Sequence, residues 1–278
     1  MVLPYAVDLI MQIPIKCFDK QMSEFLLPVH CNWPPACVYY SGSDTEEEYK
    51  NNLKSQPDNW YYRDHQVKYN YNKLGYRCAD FGTIDWNNSI IIKGCSMVEG
   101  VGLDEPDIMS QCLSEMFGCP VINLGVGGSS ILFNLINTQK LLQANIRPKL
   151  VIEIYTGLTR TMLFERKNGH VMSIGPVWGK SDDEIDREYV ESLRRWLVLS
   201  DSTAIQSTYY MKINSMLWKQ MGIPLYSSTY FPDTAAQLKI PGLTMGLDHA
   251  RDLMHPGRLV TKTNARLIFN QITKQKLI

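Results

Sequence analysis

The chain has 278 residues, a mass of 31.9 kDa, and 28 Lys+Arg against 28 Asp+Glu, for a formal net charge of zero. That length suits one large α/β domain or a compact domain with an N-terminal extension, and the charge balance argues against a general attraction to nucleic acid or an anionic membrane. No apolar run reaches the roughly 18–20 residues that span a bilayer, and Met1 to Lys16 lacks the basic start and cleavage site of a secretory leader. A soluble protein is expected, cytoplasmic or part of a larger particle.

Residues 1–86 are rich in Pro, Tyr, Trp and Asn, with Trp33-Pro34-Pro35 and an acidic cluster at Asp44 to Glu48. Helical periodicity is confined to Thr45–Ser55, so this region is expected to be a loop- and strand-rich extension laid over a core built from residues 87–278. Its Trp33, Tyr39, Tyr40, Trp60, Tyr61, Tyr62, Tyr69 and Tyr71 read first as the adhesive of a loop-rich segment and second as a wall for sugar rings. Seven cysteines, at 17, 31, 37, 78, 95, 112 and 119, lack paired C-x-x-C spacing and read as mostly reduced, buried thiols. His30, His65 and His170 have no metal-ligand spacing either, so no metal is expected.

From residue 89 strands and helices alternate. Ser89–Lys93 is a β-branched run; Pro106 stands where a helix begins and Gly118 where it stops. Pro120–Asn123 reads as a strand, Ser129–Ala144 as a helix and Leu150–Tyr155 as a strand. Asp183–Leu199 and Thr203–Met221 read as amphipathic helices, Ile223–Thr229 as a strand and Leu259–Lys274 as a closing helix. This order predicts a parallel sheet with helices on both faces and a ligand site at the carboxyl ends of the strands. Ser96, Gly125 to Ser130, Tyr155 to Arg160 and the Asp252/His255 pair all fall at such ends or just before the last helix.

A serine hydroxyl becomes a nucleophile when a histidine takes its proton and a carboxylate fixes that histidine's tautomer. Gly94-Cys95-Ser96-Met97-Val98-Glu99-Gly100, then Asn123-Leu-Gly125-Val-Gly127-Gly128-Ser129, then Asp252-x-x-His255-Pro256, resemble the sequence blocks of the SGNH hydrolases, the GDSL-like esterases, over residues 90–269. The resemblance implies a flavodoxin-like three-layer α/β/α sandwich with Ser96 as nucleophile, His255 as general base then acid, and Asp252 as its orienter. It also implies an oxyanion hole from the backbone N–H groups of Ser96 and Gly128, and the acyl-transfer chemistry it implies needs no cofactor. Asn72-Lys-Leu-Gly75-Tyr76-Arg77 looks like a feature that precedes the first block in some relatives and is read as packing.

Two positions depart from the family pattern. Cys95 stands where the first block usually has Asp, and Gly157 where the third block supplies an Asn donor to the oxyanion hole. Loss of one such donor lowers the rate on the order of a hundred- to a thousandfold. Arg160 and Thr156, with Thr159, follow the third strand as substitute donors; His249 is read as a pocket residue. Cys95 is the rival nucleophile, but neighbours on an extended segment point to opposite sides. Asp248 is the rival acid, disfavoured by its spacing.

The expected activity is hydrolysis of a small-molecule or glycan ester, an O-acetyl group on a carbohydrate first, with no nucleic-acid or membrane partner. The alternative is an SGNH-fold module without turnover that binds glycans or serves a larger assembly, and the missing Asn is its best support. Nothing in the sequence sets the oligomeric state.

Overall fold

In the computed structural model the described residues are 25–27, 37–164, 171–175 and 184–278. Cys17, Cys31, His30, His170 and the Trp33-Pro34-Pro35 run lie outside them. Ahead of the core, β1 (Cys37–Val38) pairs antiparallel with β2 (Tyr69–Asn70), and helix α1 (Glu46–Ser55) lies between them. The Thr45 hydroxyl caps α1 by accepting the Glu48 N–H at 3.1 Å, and Glu46, Glu47 and Glu48 place negative charge at the positive end of the helix dipole.

The core then follows in chain order: β3 (Ile90–Lys93), α2 (Ser96–Glu99), α3 (Met109–Phe117), β4 (Val121–Asn123), α4 (Ile131–Gln143) and β5 (Leu150–Tyr155). After it come β6 (Thr161–Phe164), β7 (Val171–Ile174), α5 (Glu184–Leu199), α6 (Ser202–Gln220), β8 (Leu225–Thr229), α7 (Pro232–Leu238) and α8 (Arg258–Lys274). The main sheet has the order β4-β3-β5-β8 and every pairing in it is parallel. β6 and β7 form a separate antiparallel pair, for which the sequence offers no assigned element.

Alternation along the strands builds two apolar layers. Ile90, Ile92, Ile152 and Ile154 point to one face and meet Met109, Cys112 and Leu113 of α3 and Ala265, Ile268 and Ile272 of α8. Ile91 and Val151 point to the other face, against Phe133 and Leu141 of α4 and Trp218 of α6, with Leu26 and Leu27 joining that cluster. These strand residues are fully buried, and each such side chain stabilises by about 1.5–3 kcal/mol. The result is the expected α/β/α sandwich, since a parallel sheet requires both faces covered.

One residue breaks the apolar pattern. Lys93, at the end of β3, stands in register with Glu153 of β5, its Nζ 2.9 Å from Glu153 Oε2, with both side chains fully buried. Its Nζ also donates to the Asn134 carbonyl at 3.0 Å. Burial pushes the Lys93 pKa down even against the pull of Glu153.

The helix expected from Pro106 begins later. Glu105–Asp107 is a single 3-10 turn, Ile108 is extended at φ −72° and ψ 153°, and α3 starts at Met109. Pro106 fits a first turn because it lacks an N–H, but the extended Ile108 breaks the backbone before the α-helix can propagate. Gly118 closes α3 at φ 64°, as read.

β3 connects to β4 on one side while β5 lies on its other side, so the chain reverses its order there. The carboxyl ends of β3 and β5 flank the crevice where ligands bind in such sheets. Among the described residues no helix is long and apolar enough to cross a membrane, and no group of three or more His, Cys, Asp or Glu is placed to hold a metal.

Candidate active site

β3 runs out through Gly94 and Cys95 into the four-residue α2, whose first residue is Ser96. Cys95 is 1% exposed, packed into the interior beneath the turn, so its thiol and the Ser96 hydroxyl face different surroundings. The second sequence block is laced to α2. The Asn123 amide donates to the Val98 carbonyl at 2.9 Å and its oxygen accepts the Gly125 N–H at 2.9 Å. Gly125 must lack a side chain, because a Cβ there would lie 2.5 Å from the Glu99 amide nitrogen. Glu99, 7% exposed, accepts the Tyr71 hydroxyl at 2.5 Å through Oε1 and the Gly127 N–H through Oε2. Gly128 follows at φ 73°. Among the described residues the N–H groups of Ser96 and Gly128 make no backbone hydrogen bond.

His255 comes from the loop that leads into α8. That loop is closed by two backbone hydrogen bonds, Ala250 N–H to the His255 carbonyl at 2.9 Å and Gly257 N–H to the Asp248 carbonyl at 2.7 Å. Inside it, Asp252 caps its own turn, Oδ1 accepting the Met254 N–H at 3.1 Å and the His255 N–H at 3.2 Å. This accounts for the spacing, since an Asp reaches backbone N–H groups two and three residues on. Leu253 sits between at φ 59°, a left-handed conformation that costs a branched residue on the order of 1–3 kcal/mol.

The structure brings the three sequence-selected side chains into one hydrogen-bonded line. His255 Nε2 lies 2.7 Å from Ser96 Oγ and His255 Nδ1 lies 2.6 Å from Asp252 Oδ2. Asp252 is 4% exposed. Asp248, the rival acid, instead accepts the Leu259 N–H at 2.7 Å and caps the first turn of α8.

The supporting residues are distributed differently. Thr156 is fully buried, its hydroxyl without a hydrogen-bond partner among the described residues, so it faces the interior. The Arg160 guanidinium lies 5.1 Å from the centre of the Phe231 ring, and a Cβ at Gly157 would touch that same ring at 3.5 Å. Phe231 therefore borders the position at which the third block would carry Asn. His249 is half-buried with Nδ1 unpartnered among the described residues, and its backbone pairs with Pro256.

Sequence reasoning missed the contribution of the N-terminal segment. Ser43 Oγ donates to Asp252 Oδ2 at 2.6 Å. Asp44 accepts Arg251 Nε at 2.9 Å, Arg251 Nη2 at 2.8 Å and the Tyr69 hydroxyl at 2.5 Å. Arg77 donates to the carbonyls of Gly100 at 2.8 Å, Leu103 at 2.9 Å and Lys68 at 2.8 Å, holding the loop after α2. The packing role read for Asn72 to Arg77 is thus a strut beneath the serine's helix. Ser41-Gly-Ser-Asp44 has turn composition, but no local pattern says what a turn will touch 209 residues away.

Burial acts to raise the Asp252 pKa, yet the hydrogen bond and charge of His255, with the Ser43 and Met254 donors, outweigh it and hold the carboxyl below its ordinary value of 3.8. A carboxyl depressed on folding gives stability that is complete above its unfolded value and is lost as pH falls through the folded one. The melting temperatures of the protein and its Asp252→Asn variant should therefore differ at neutral pH and converge below about pH 4. A gap unchanged from pH 7 to pH 3 would contradict this.

No family model matches the sequence. No curated protein matches it either. Several solved structures do resemble it in shape. An acetyl xylan esterase from the rumen bacterium Butyrivibrio proteoclasticus matches at TM-score 0.41 and 8% identity, over 77% of this chain and 68% of that one. TesA matches at TM-score 0.39 and 15% identity, over 68% and 99%. A GDSL-like lipase from Bacteroides thetaiotaomicron matches at TM-score 0.33 and 12% identity, over 70% and 89%.

Proposed function

We propose that the protein is a serine esterase of the SGNH type that hydrolyses carboxylic esters, its substrate an O-acetyl group on a carbohydrate. The observation that carries this reading is the Ser96–His255–Asp252 line, with 2.7 Å and 2.6 Å between successive partners. Ser96 Oγ attacks the ester carbonyl as His255 Nε2 takes its proton, and Asp252 keeps the Nδ1–H tautomer and steadies the imidazolium. The negative oxygen of the tetrahedral intermediate is met by the N–H groups of Ser96 and Gly128. Collapse expels the alcohol, protonated by His255, and leaves an acyl-Ser96 that water hydrolyses by the reverse proton path.

Support for a saccharide comes from the aromatic rim. Arg258, three residues past His255, lies 3.7 Å from the centre of the Tyr61 ring, which stacks on His65 at 3.8 Å. Arg258 and His65 cover the two faces of Tyr61, which leaves half-exposed Trp60 as the aromatic surface of the kind that stacks on sugar rings. A second reading, a glycan-binding module without turnover, draws on Gly157, where the third oxyanion donor is lacking.

Hydrolysis of p-nitrophenyl acetate and release of acetate from acetylated oligosaccharides, each compared between the protein and Ser96→Ala, separate the readings. Serine-dependent acetate release from the glycan is the expected result. Turnover of the model ester alone keeps the esterase and removes the carbohydrate. No serine-dependent turnover of either overturns the enzyme and leaves the binding module.

A further inference from the structure

We propose that Ser43 is a positioning residue of the reaction, its hydroxyl fixing the oxygen of Asp252 that holds His255. The inference rests on the ester-hydrolase reading above and adds a fourth side chain to its relay, one supplied by the N-terminal segment.

The geometry is specific. Asp252 Oδ2 accepts two hydrogen bonds, from His255 Nδ1–H at 2.6 Å and from Ser43 O–H at 2.6 Å, while Oδ1 accepts the two backbone N–H groups of its own turn. Four donors leave the carboxylate with one orientation. A short hairpin delivers Ser43. Ser41 and Asp44 exchange backbone hydrogen bonds of 3.0 and 3.1 Å around Gly42-Ser43, with Gly42 at φ 62°, the left-handed first position that a tight hairpin turn demands. Asp44, the next residue, grips Arg251, the residue before Asp252. Two adjacent residues of the hairpin thus hold two adjacent residues of the acid–base loop.

The other charged groups around this loop are engaged elsewhere. Arg251 pairs with Asp44, Arg258 with Asp107 at 2.6 Å, Asp248 with the start of α8, and Glu99 with Tyr71 and Gly127. Among the described residues no further side chain donates to Asp252. Ser43 is therefore the one donor competing with His255 for Oδ2. A hydroxyl that donates to a carboxylate stabilises its charge and makes it a weaker base. Without Ser43 the whole of Oδ2 would serve His255, the dyad would hold its proton more tightly, and the carboxylate would lose one of its restraints.

The test uses the full chain and the pair Ser43→Thr and Ser43→Val, near-isosteres that differ in the hydroxyl. The acid limb of kcat/KM for p-nitrophenyl acetate should move to higher pH by about half a unit to one unit in Ser43→Val and stay at its original position in Ser43→Thr. On the alkaline plateau kcat should fall about tenfold in Ser43→Val with KM unchanged, as expected for a misplaced base. The proton resonances of the His255 ring, assigned by difference with His255→Gln and followed against pH, report the same shift without turnover. They decide the matter if the protein proves not to be an esterase. Identical titration in Ser43→Val and the parent protein overturns the proposal, even if stability or kcat has dropped, because loss of packing alone would not move the proton equilibrium. Should Ser43→Val not fold, Ser43→Ala replaces it with the same criterion.

Discussion

Ser96→Ala, His255→Ala and the double variant are all expected to lose about a million-fold in kcat for ester hydrolysis, and to lose it equally. The two groups work as one unit: a serine without its base is a neutral hydroxyl, and a base without its serine has no proton to take. Removing the second member after the first therefore changes nothing further. Asp252→Asn should be milder, about ten-thousandfold, because the ring and serine stay in place while the tautomer favouring Nε2 as acceptor is lost. Turnover that remains in all of these variants is expected to come from the backbone donors proposed for the oxyanion and from substrate binding. Single-turnover measurements across the four proteins check the pattern. A double variant slower than either single one by more than about tenfold would mean that the 2.7 Å contact between His255 and Ser96 is not the proton path.

Asp44→Ala is expected to cost about 3–5 kcal/mol of stability, the largest structural effect of any single substitution near the site. Asp44 is fully buried and Arg251 is 2% exposed, so the substitution strands a guanidinium in the interior with only the Tyr39 carbonyl and the rings of Tyr40 and Tyr49 around it. The Tyr69 hydroxyl, which spans Asp44 and the Gly102 N–H at 2.7 Å, loses its acceptor as well. For a chain of this size the melting temperature should fall by roughly 6–20 °C. Adding Arg251→Met should recover most of the loss, since the penalty lies in the unpaired charge and not in the missing pair. Chemical denaturation of the single and double variants measures both quantities; a single variant within about 1 kcal/mol of the parent would refute the argument.

The sheet was legible because its strands carry their signal locally. Leu150–Tyr155 matches β5 residue for residue, and the readings Pro120–Asn123 and Leu259–Lys274 differ from β4 and α8 by one residue at one end. Fully buried strands are runs of Ile and Val that need no distant partner to be recognised. β1, β2, the β6–β7 pair and α7 were not read; β1 and β2 have two residues each, too few for any period to show. The line of Ser96, Asp252 and His255 could be named because the three blocks that carry them resemble those of a known family; Gly-x-Ser after a strand is too common in turns to single out a nucleophile by itself. Thr156 could not be sorted the same way: whether the first residue past a strand faces solvent or core depends on where the chain turns next. Ser43 and Asp44 were illegible for a stronger reason, since their partners lie 209 and 207 residues away.

The charged pair between β3 and β5 has a bearing on how the hydroxyl and the imidazole come to meet. Sliding one strand by two residues would preserve which isoleucines face which helices, so the apolar layers alone would tolerate it. The same slip would leave an ammonium and a carboxylate apart in a dry interior, a penalty of several kcal/mol per ion. Lys93 and Glu153 thereby act as a latch on strand alignment, and Gly94 and Cys95, the two residues between Lys93 and Ser96, transmit that alignment to the Ser96 hydroxyl.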